Sequence, residues 1–159
     1  MTQNPSPATE VARRLWARAT DGSDSPEEVV AAAERMCIQL RAGLGRWIGA
    51  MGYRALLDRA LVLARAEHAA LGSLSCYGGD EAMLTAAVRT YGATEVAAGM
   101  VALVSRLAEL LGRIIGDEMA LRLVEQTGVP TGSEREKERP IPRGVVSTES
   151  RGARNADVG

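Results

Sequence analysis

The chain is expected to fold as an all-α helical bundle of four to six helices, with a short N-terminal amphipathic helix and a disordered C-terminal tail. Three observations lead there. Apolar residues recur at spacings of three and four through residues 25–128, which is the period of one helical face. Capping residues stand before those stretches and glycines after them, as helix boundaries require. Phe is absent and aromatic residues make up 3% of the chain, so the core must be built from Leu, Val, Ile, Met and Ala. Such a set fills the space between helices more readily than that between sheets, whose strands favour β-branched and aromatic residues.

Residues 1–24 form a polar N-terminal segment in which Glu10 to Ala19 carries Val11, Leu15 and Trp16 at helical spacing, with Thr9 as its cap. A helix this short is marginal alone in water, so it docks on the body or presents Trp16 to a partner. The bundle domain is placed at 25–128. It opens with Ser25 as N-cap, Pro26 in the first turn, and Glu27 and Glu28 at the positive end of the helix dipole. Val30, Ala33, Cys37, Leu40 and Leu44 then mark one buried face, which makes Cys37 a core residue. Gly43, Gly45, Gly49 and Gly52 crowd the next segment, where a break, a kink or a close helix–helix approach is expected. No strand precedes it and no Lys-Ser or Lys-Thr pair ends it, so it is not a phosphate loop.

Leu56, Leu57, Ala60, Leu61, Leu63 and Ala64 form the next stripe, opposite Arg54, Asp58, Arg65 and Glu67, and that helix should end near Leu71 and Gly72. Asp80 is the expected cap of a helix running to Tyr91 and stopped by Gly92, and Thr94 that of the best-patterned helix. There Val96, Met100, Leu103, Leu107, Leu110 and Ile114 follow strict four-three-four-three-four spacing, beside a second strip of Ala97, Val101, Val104, Ala108, Leu111 and Ile115. The pattern predicts either an intramolecular core or a seam for self-association. Gly116 closes this helix, Asp117 caps the last, and Met119, Leu121, Leu123 and Val124 are its expected buried residues. Residues 129–159, dominated by charge, Gly, Pro and Ser, carry too little apolar surface to offset their ordering entropy and are expected to be a disordered tail.

Nineteen Lys and Arg balance twenty Asp and Glu, for a net charge of −1. A duplex nucleic acid partner, which requires a basic stripe, is therefore not expected. Arg and Ala predominate over Lys, which occurs only as Lys137, and this reads as a bacterial-type coding bias. The most apolar stretch, Val96 to Ile115, is interrupted by Arg106, Glu109 and Arg113, so no membrane partner is expected. Two cysteines far apart in sequence, behind an N-terminus without a signal-peptide pattern, predict reduced thiols and a cytoplasmic location.

His68 is the only histidine. With no cluster at metal-ligand spacing, neither a metal nor any other cofactor is expected. Cys76, eight residues from His68, offers the one conceivable nucleophile pair, but no cation stands beside it to activate the thiol. The string AEHAALGSLS around His68 resembles the histidine-containing phosphotransfer domains, in which an exposed His on a bundle helix is followed four residues later by Gly and then a small residue. Gly72 and Ser73 take those positions. The sequence departs from that family at Leu71, where a Lys is usual, and in breaking its helix after the Gly. The resemblance implies a phosphotransfer-like relay with His68 as phosphoacceptor. The sequence as a whole points instead to a helical protein–protein interaction or regulatory module, non-catalytic and self-associating as a homodimer. A pocket walled by the Gly43–Gly52 kink is a third possibility.

Overall fold

The computed structural model describes residues 4–76 and 80–127, and the expected tail at 129–159 lies outside the described residues. The described residues form an all-α bundle: α1 (Pro7–Thr20), α2 (Pro26–Glu67), a single 3-10 turn (Ala69–Leu71), α3 (Glu81–Tyr91), α4 (Ala93–Ile115) and α5 (Asp117–Thr127). No strand occurs among them.

The first helix starts earlier than expected. Ser6, not Thr9, is the N-cap, its hydroxyl accepting from the Thr9 amide at 3.2 Å, with Pro7 in the first turn. A proline is favoured there because its φ is already helical and its missing N–H is not needed. Ala8, Val11, Ala12 and Leu15 are buried in the common core, and Trp16 is half-buried against it. At the other end Asp21 and Gly22 take positive φ, and the Gly22 amide donates back to the Ala17 carbonyl at 3.3 Å, satisfying groups that a helix end leaves open. Ser25 caps α2 as expected, accepting from the Glu28 amide at 3.2 Å.

The glycine-rich segment contains one corner. Only Gly49 leaves helical geometry, at φ 81° and ψ 161°, dividing α2 into limbs 26–48 and 50–67. Gly92 (φ 95°, ψ 153°) and Gly116 (φ 95°, ψ 144°) repeat this conformation between α3 and α4 and between α4 and α5. It is a region of backbone space that side-chain-bearing residues essentially do not enter. A single glycine thus turns the chain from one helix straight into the next at three places. Because Gly92 occupies the cap position, Thr94 lies inside α4 rather than capping it.

α4 packs against α1, α2, α3, α5 and the 3-10 turn. Val96, Met100, Leu103, Val104, Leu107 and Leu111 are fully enclosed, and burying a side chain of this size stabilises by roughly 1.5–3 kcal/mol. Gly99 admits the Leu71 side chain, which would stand 3.0 Å from a Cβ at that position. In α5, Ala120, Leu123 and Val124 are buried and Leu121 is partly so, but Met119 is half-exposed. The expectation for Met119 fails because it sits in the first turn, beside the Gly116 corner.

α2 ends at Glu67, before the expected Leu71. Arg65, expected on the wet face, instead donates from Nε to the Leu71 carbonyl at 3.1 Å and from Nη2 to the Leu74 carbonyl at 2.6 Å, clamping the chain after the helix. Cys76 is joined to Cys37 in a disulfide, with Cα atoms 5.2 Å apart. The expectation of reduced thiols is corrected here: residues 39 apart in sequence are brought together when the segment after the 3-10 turn folds back on α2. Asp80 stands at the N-cap of α3 as expected, its carbonyl accepting from the Leu84 amide at 2.7 Å, but its side chain makes no capping bond. Its buried carboxylate accepts from the Ser75 hydroxyl at 3.0 Å and the Cys76 amide at 2.8 Å, holding Cys76 at its positive φ of 62°.

Two outcomes follow from these connections. Gly116→Ala, at a corner where a side chain is strained even though the space is open, should cost about 1–3 kcal/mol in urea denaturation. Breaking the bridge with Cys37→Ala and Cys76→Ala should remove about 4 kcal/mol by the chain-entropy account of a loop this long, and reductant should then have no further effect on the variant.

Candidate functional site

A set of polar side chains lines a cleft of about 400 Å³ between α1, the end of α2 and α4. α1 contributes Thr9 and Arg13, the end of α2 contributes Glu67 and His68, and the floor is the small-residue side of α4, with Ala98, Ala102 and Ser105. Val101 also lines this floor, and Arg106 and Glu109 of α4 complete the wall.

His68 terminates α2 with an extended backbone, its amide donating to the Ala64 carbonyl at 2.8 Å. Its side chain keeps 21% exposure, and Nδ1 lies 2.9 Å from Glu95 Oε1. An ionised carboxylate can only accept, so Nδ1 carries the proton and donates, leaving Nε2 as the uncommitted ring nitrogen. Arg106 bridges two acids, donating to Glu67 and, at 3.0 Å, to Glu109. The hydrogen bond to Glu67 is the chief cause of an Arg106 pKa raised above its ordinary value, with the bond to Glu109 next and burial acting the other way. The hydroxyls of Thr9 and Ser105 bond to each other at 3.0 Å and tie α1 to α4.

This arrangement orients side chains but does not assemble a nucleophile with its base. Cys76 is held in the disulfide, which removes the Cys76–His68 pair from consideration, and the Ser105 hydroxyl is engaged by Thr9 rather than by the imidazole. Among the described residues no group of three or more His, Cys, Asp and Glu is placed to hold a metal ion. The His68–Glu95 pair and the Arg106 bridge were not foreseen in the sequence. Glu67 and His68 are 39 and 27 residues from their partners, and no local spacing signals contacts that distant.

The six positions at four-three-four-three-four spacing divide. Val96, Met100, Leu103 and Leu107 have no exposed surface, Leu110 is half-buried against the core and Ile114 is 68% exposed. Four of the six are consumed inside the chain's own bundle, so the row offers no continuous outer seam. No protein family, curated protein or solved structure matches this chain.

Leu103→Glu with Leu107→Glu places two carboxylates in the densest part of the core and should abolish folding outright, read as loss of the cooperative helical transition in circular dichroism. A variant that stays folded would mean that these side chains face outward.

Proposed function

We propose that the protein is a non-catalytic helical module that acts through protein–protein contacts, and that it self-associates. The observation that carries this reading is the placement of large apolar side chains outside a core that is already closed: Trp47 is 65% and Met51 86% exposed, on either side of the Gly49 corner. Tryptophan is one of the residues on which binding energy concentrates at protein interfaces, and methionine is enriched there. Trp16, expected to be available to a partner, is half-buried against the core and gives way to Trp47 in this role.

Tagged full-length protein purified from its native cells should bring down a stoichiometric partner, elute with about twice the mass of one chain in light scattering, or both. Trp47→Ala with Met51→Ala should remove the partner while leaving the helical spectrum intact. Recovery of the wild-type chain alone and monomeric would overturn the reading.

A cytoplasmic location belongs to this proposal, and the Cys37–Cys76 bridge weighs against it, because stable disulfides accumulate in oxidising compartments. Differential alkylation of the pair in intact cells should find free thiols if the protein works in the cytoplasm. Complete oxidation would move it elsewhere. No helix is long and apolar enough to cross a membrane among the described residues.

The second reading is a phosphotransfer-like relay, favoured by one observation: Glu95 engages Nδ1 of His68 and leaves Nε2 uncommitted on the cleft. It has less support because α2 ends at Glu67, so no continuing helix displays the imidazole in the way the resemblance implies. His68→Gln should remove phosphoryl acceptance from phosphoramidate if the relay exists. Equal labelling of both proteins, or none of either, sinks it.

A further inference from the structure

We infer that the corner at Gly49 docks an acidic segment of a protein partner, with a carboxylate of that segment entering the cleft lined by both limbs of α2 and an apolar neighbour covering Met51. This rests on the protein-contact reading and gives the partner its chemistry.

The cleft has a volume of about 510 Å³ and is lined by Arg41 and Gly45 from the first limb and by Ala50, Tyr53 and Arg54 from the second. Each limb therefore brings one guanidinium to it, and Gly45 and Ala50 add no bulk. Gly45 has no packing reason within the described residues, since a Cβ there would meet nothing within 4 Å. Gly43 has one, because a Cβ there would run into the Thr127 side chain. A glycine inside a helix lowers its stability, and at Gly45 the return is open space in the cleft. Arg41 and Arg54 each have an interaction inside the chain. A guanidinium carries five donors, so such a contact leaves it able to hold a carboxylate as well.

The charge of the corner is one-sided. No acid occurs between Glu34 and Asp58, whereas Arg35, Arg41, Arg46 and Arg54 all do, in a chain whose net charge is −1. Arg35 is paired with Glu28 at 2.7 Å. The other three are exposed, and Arg46 forms no ion pair among the described residues. A region of one sign attracts a partner of the other and rejects partners of its own. Met51, 86% exposed, precedes Arg54 by three residues and is its neighbour on the surface of the second limb. The ligand that answers both is a carboxylate with an apolar side chain beside it. A peptide segment presents the two together, and a carboxylate matches the planar fork of a guanidinium. Duplex nucleic acid does not fit, since its binding rests on neutralising many phosphates.

The test uses the full-length chain and three short labelled peptides that share a central Phe-Leu pair, flanked by Glu, by Gln or by Lys, with binding read by fluorescence anisotropy and every variant checked by circular dichroism. The Glu peptide should bind roughly tenfold or more tightly than the Gln peptide, the Lys peptide should not bind, and added salt should weaken the Glu complex. Arg46→Glu reverses a charge outside the core and should weaken Glu-peptide binding by roughly tenfold. Gly45→Leu changes no charge but fills the cleft, and should weaken it as well; it serves in place of Arg46→Glu if that variant disturbs the fold. Equal affinity for the Glu and Gln peptides, or no binding of either, overturns the inference. So does a Glu complex untouched by both variants, which would place acid binding elsewhere on the chain. Binding to phosphatidylserine vesicles that these variants abolish, without binding of the Glu peptide, would make the corner a membrane contact and overturns it too. A partner recovered from native cells that depends on Trp47 and Met51 but is kept by Gly45→Leu and Arg46→Glu would remove this inference and leave the protein-contact reading standing.

Discussion

Everything in this bundle is arranged to enclose α4. Its apolar strips need cover on nearly all sides, and α1, α2, α3 and α5 supply it. Without Phe, the core is filled by branched and flexible aliphatic side chains, whose contribution comes from many modest burials rather than a few aromatic anchors. Leu40, Leu44, Leu57, Leu71 and Val124 are fully enclosed around that helix. The other features of the structure are consequences of bringing short helices around one long, greasy rod.

One consequence is the way the chain turns. Helices that must all touch α4 can afford little connecting chain, and the corners at Gly49, Gly92 and Gly116 use one residue each. Where no glycine corner is available, after Glu67, the chain is secured by other means. Arg65 holds two carbonyls, Asp80 accepts from the Cys76 amide, and the disulfide ties Cys76 to α2. The corners also leave apolar residues in the open: Trp47 and Met51 flank Gly49, Tyr91 adjoins Gly92, and Ile114, Ile115 and Met119 surround Gly116. A sharp turn lifts the adjacent residues away from the core whatever their polarity, so the exposure at these places follows from the geometry of the corners.

The polar cleft has a different origin. Where α1 and the end of α2 diverge over α4, they leave a cleft in which Glu67 meets Arg106 and His68 meets Glu95. Its charges are matched pairwise across elements, which fixes the end of α2 against α4. Exposed pairs of this kind each contribute little to stability, so their effect is chiefly on position.

The sequence by itself determined the helices and most of the core. Periodicity and capping are local properties, and they placed the start of α2 at Ser25, the ends of α3 and α4 at Gly92 and Gly116, and the buried row from Val30 to Leu44 within a residue or two of where they lie. Its errors share a cause. Cys37 with Cys76, His68 with Glu95, the Asp80 carboxylate with Cys76, and the exposure of Ile114 and Met119 all depend on which residues share a neighbourhood. That is decided by how the corners aim the helices around α4, and the angle of a corner is not written in any spacing. The sequence could show that Gly43, Gly45, Gly49 and Gly52 were unusual. Only the tertiary structure separates the one that turns the chain, the one that admits Thr127 and the one that faces open space, because a glycine's purpose is defined by what stands opposite the side chain it lacks.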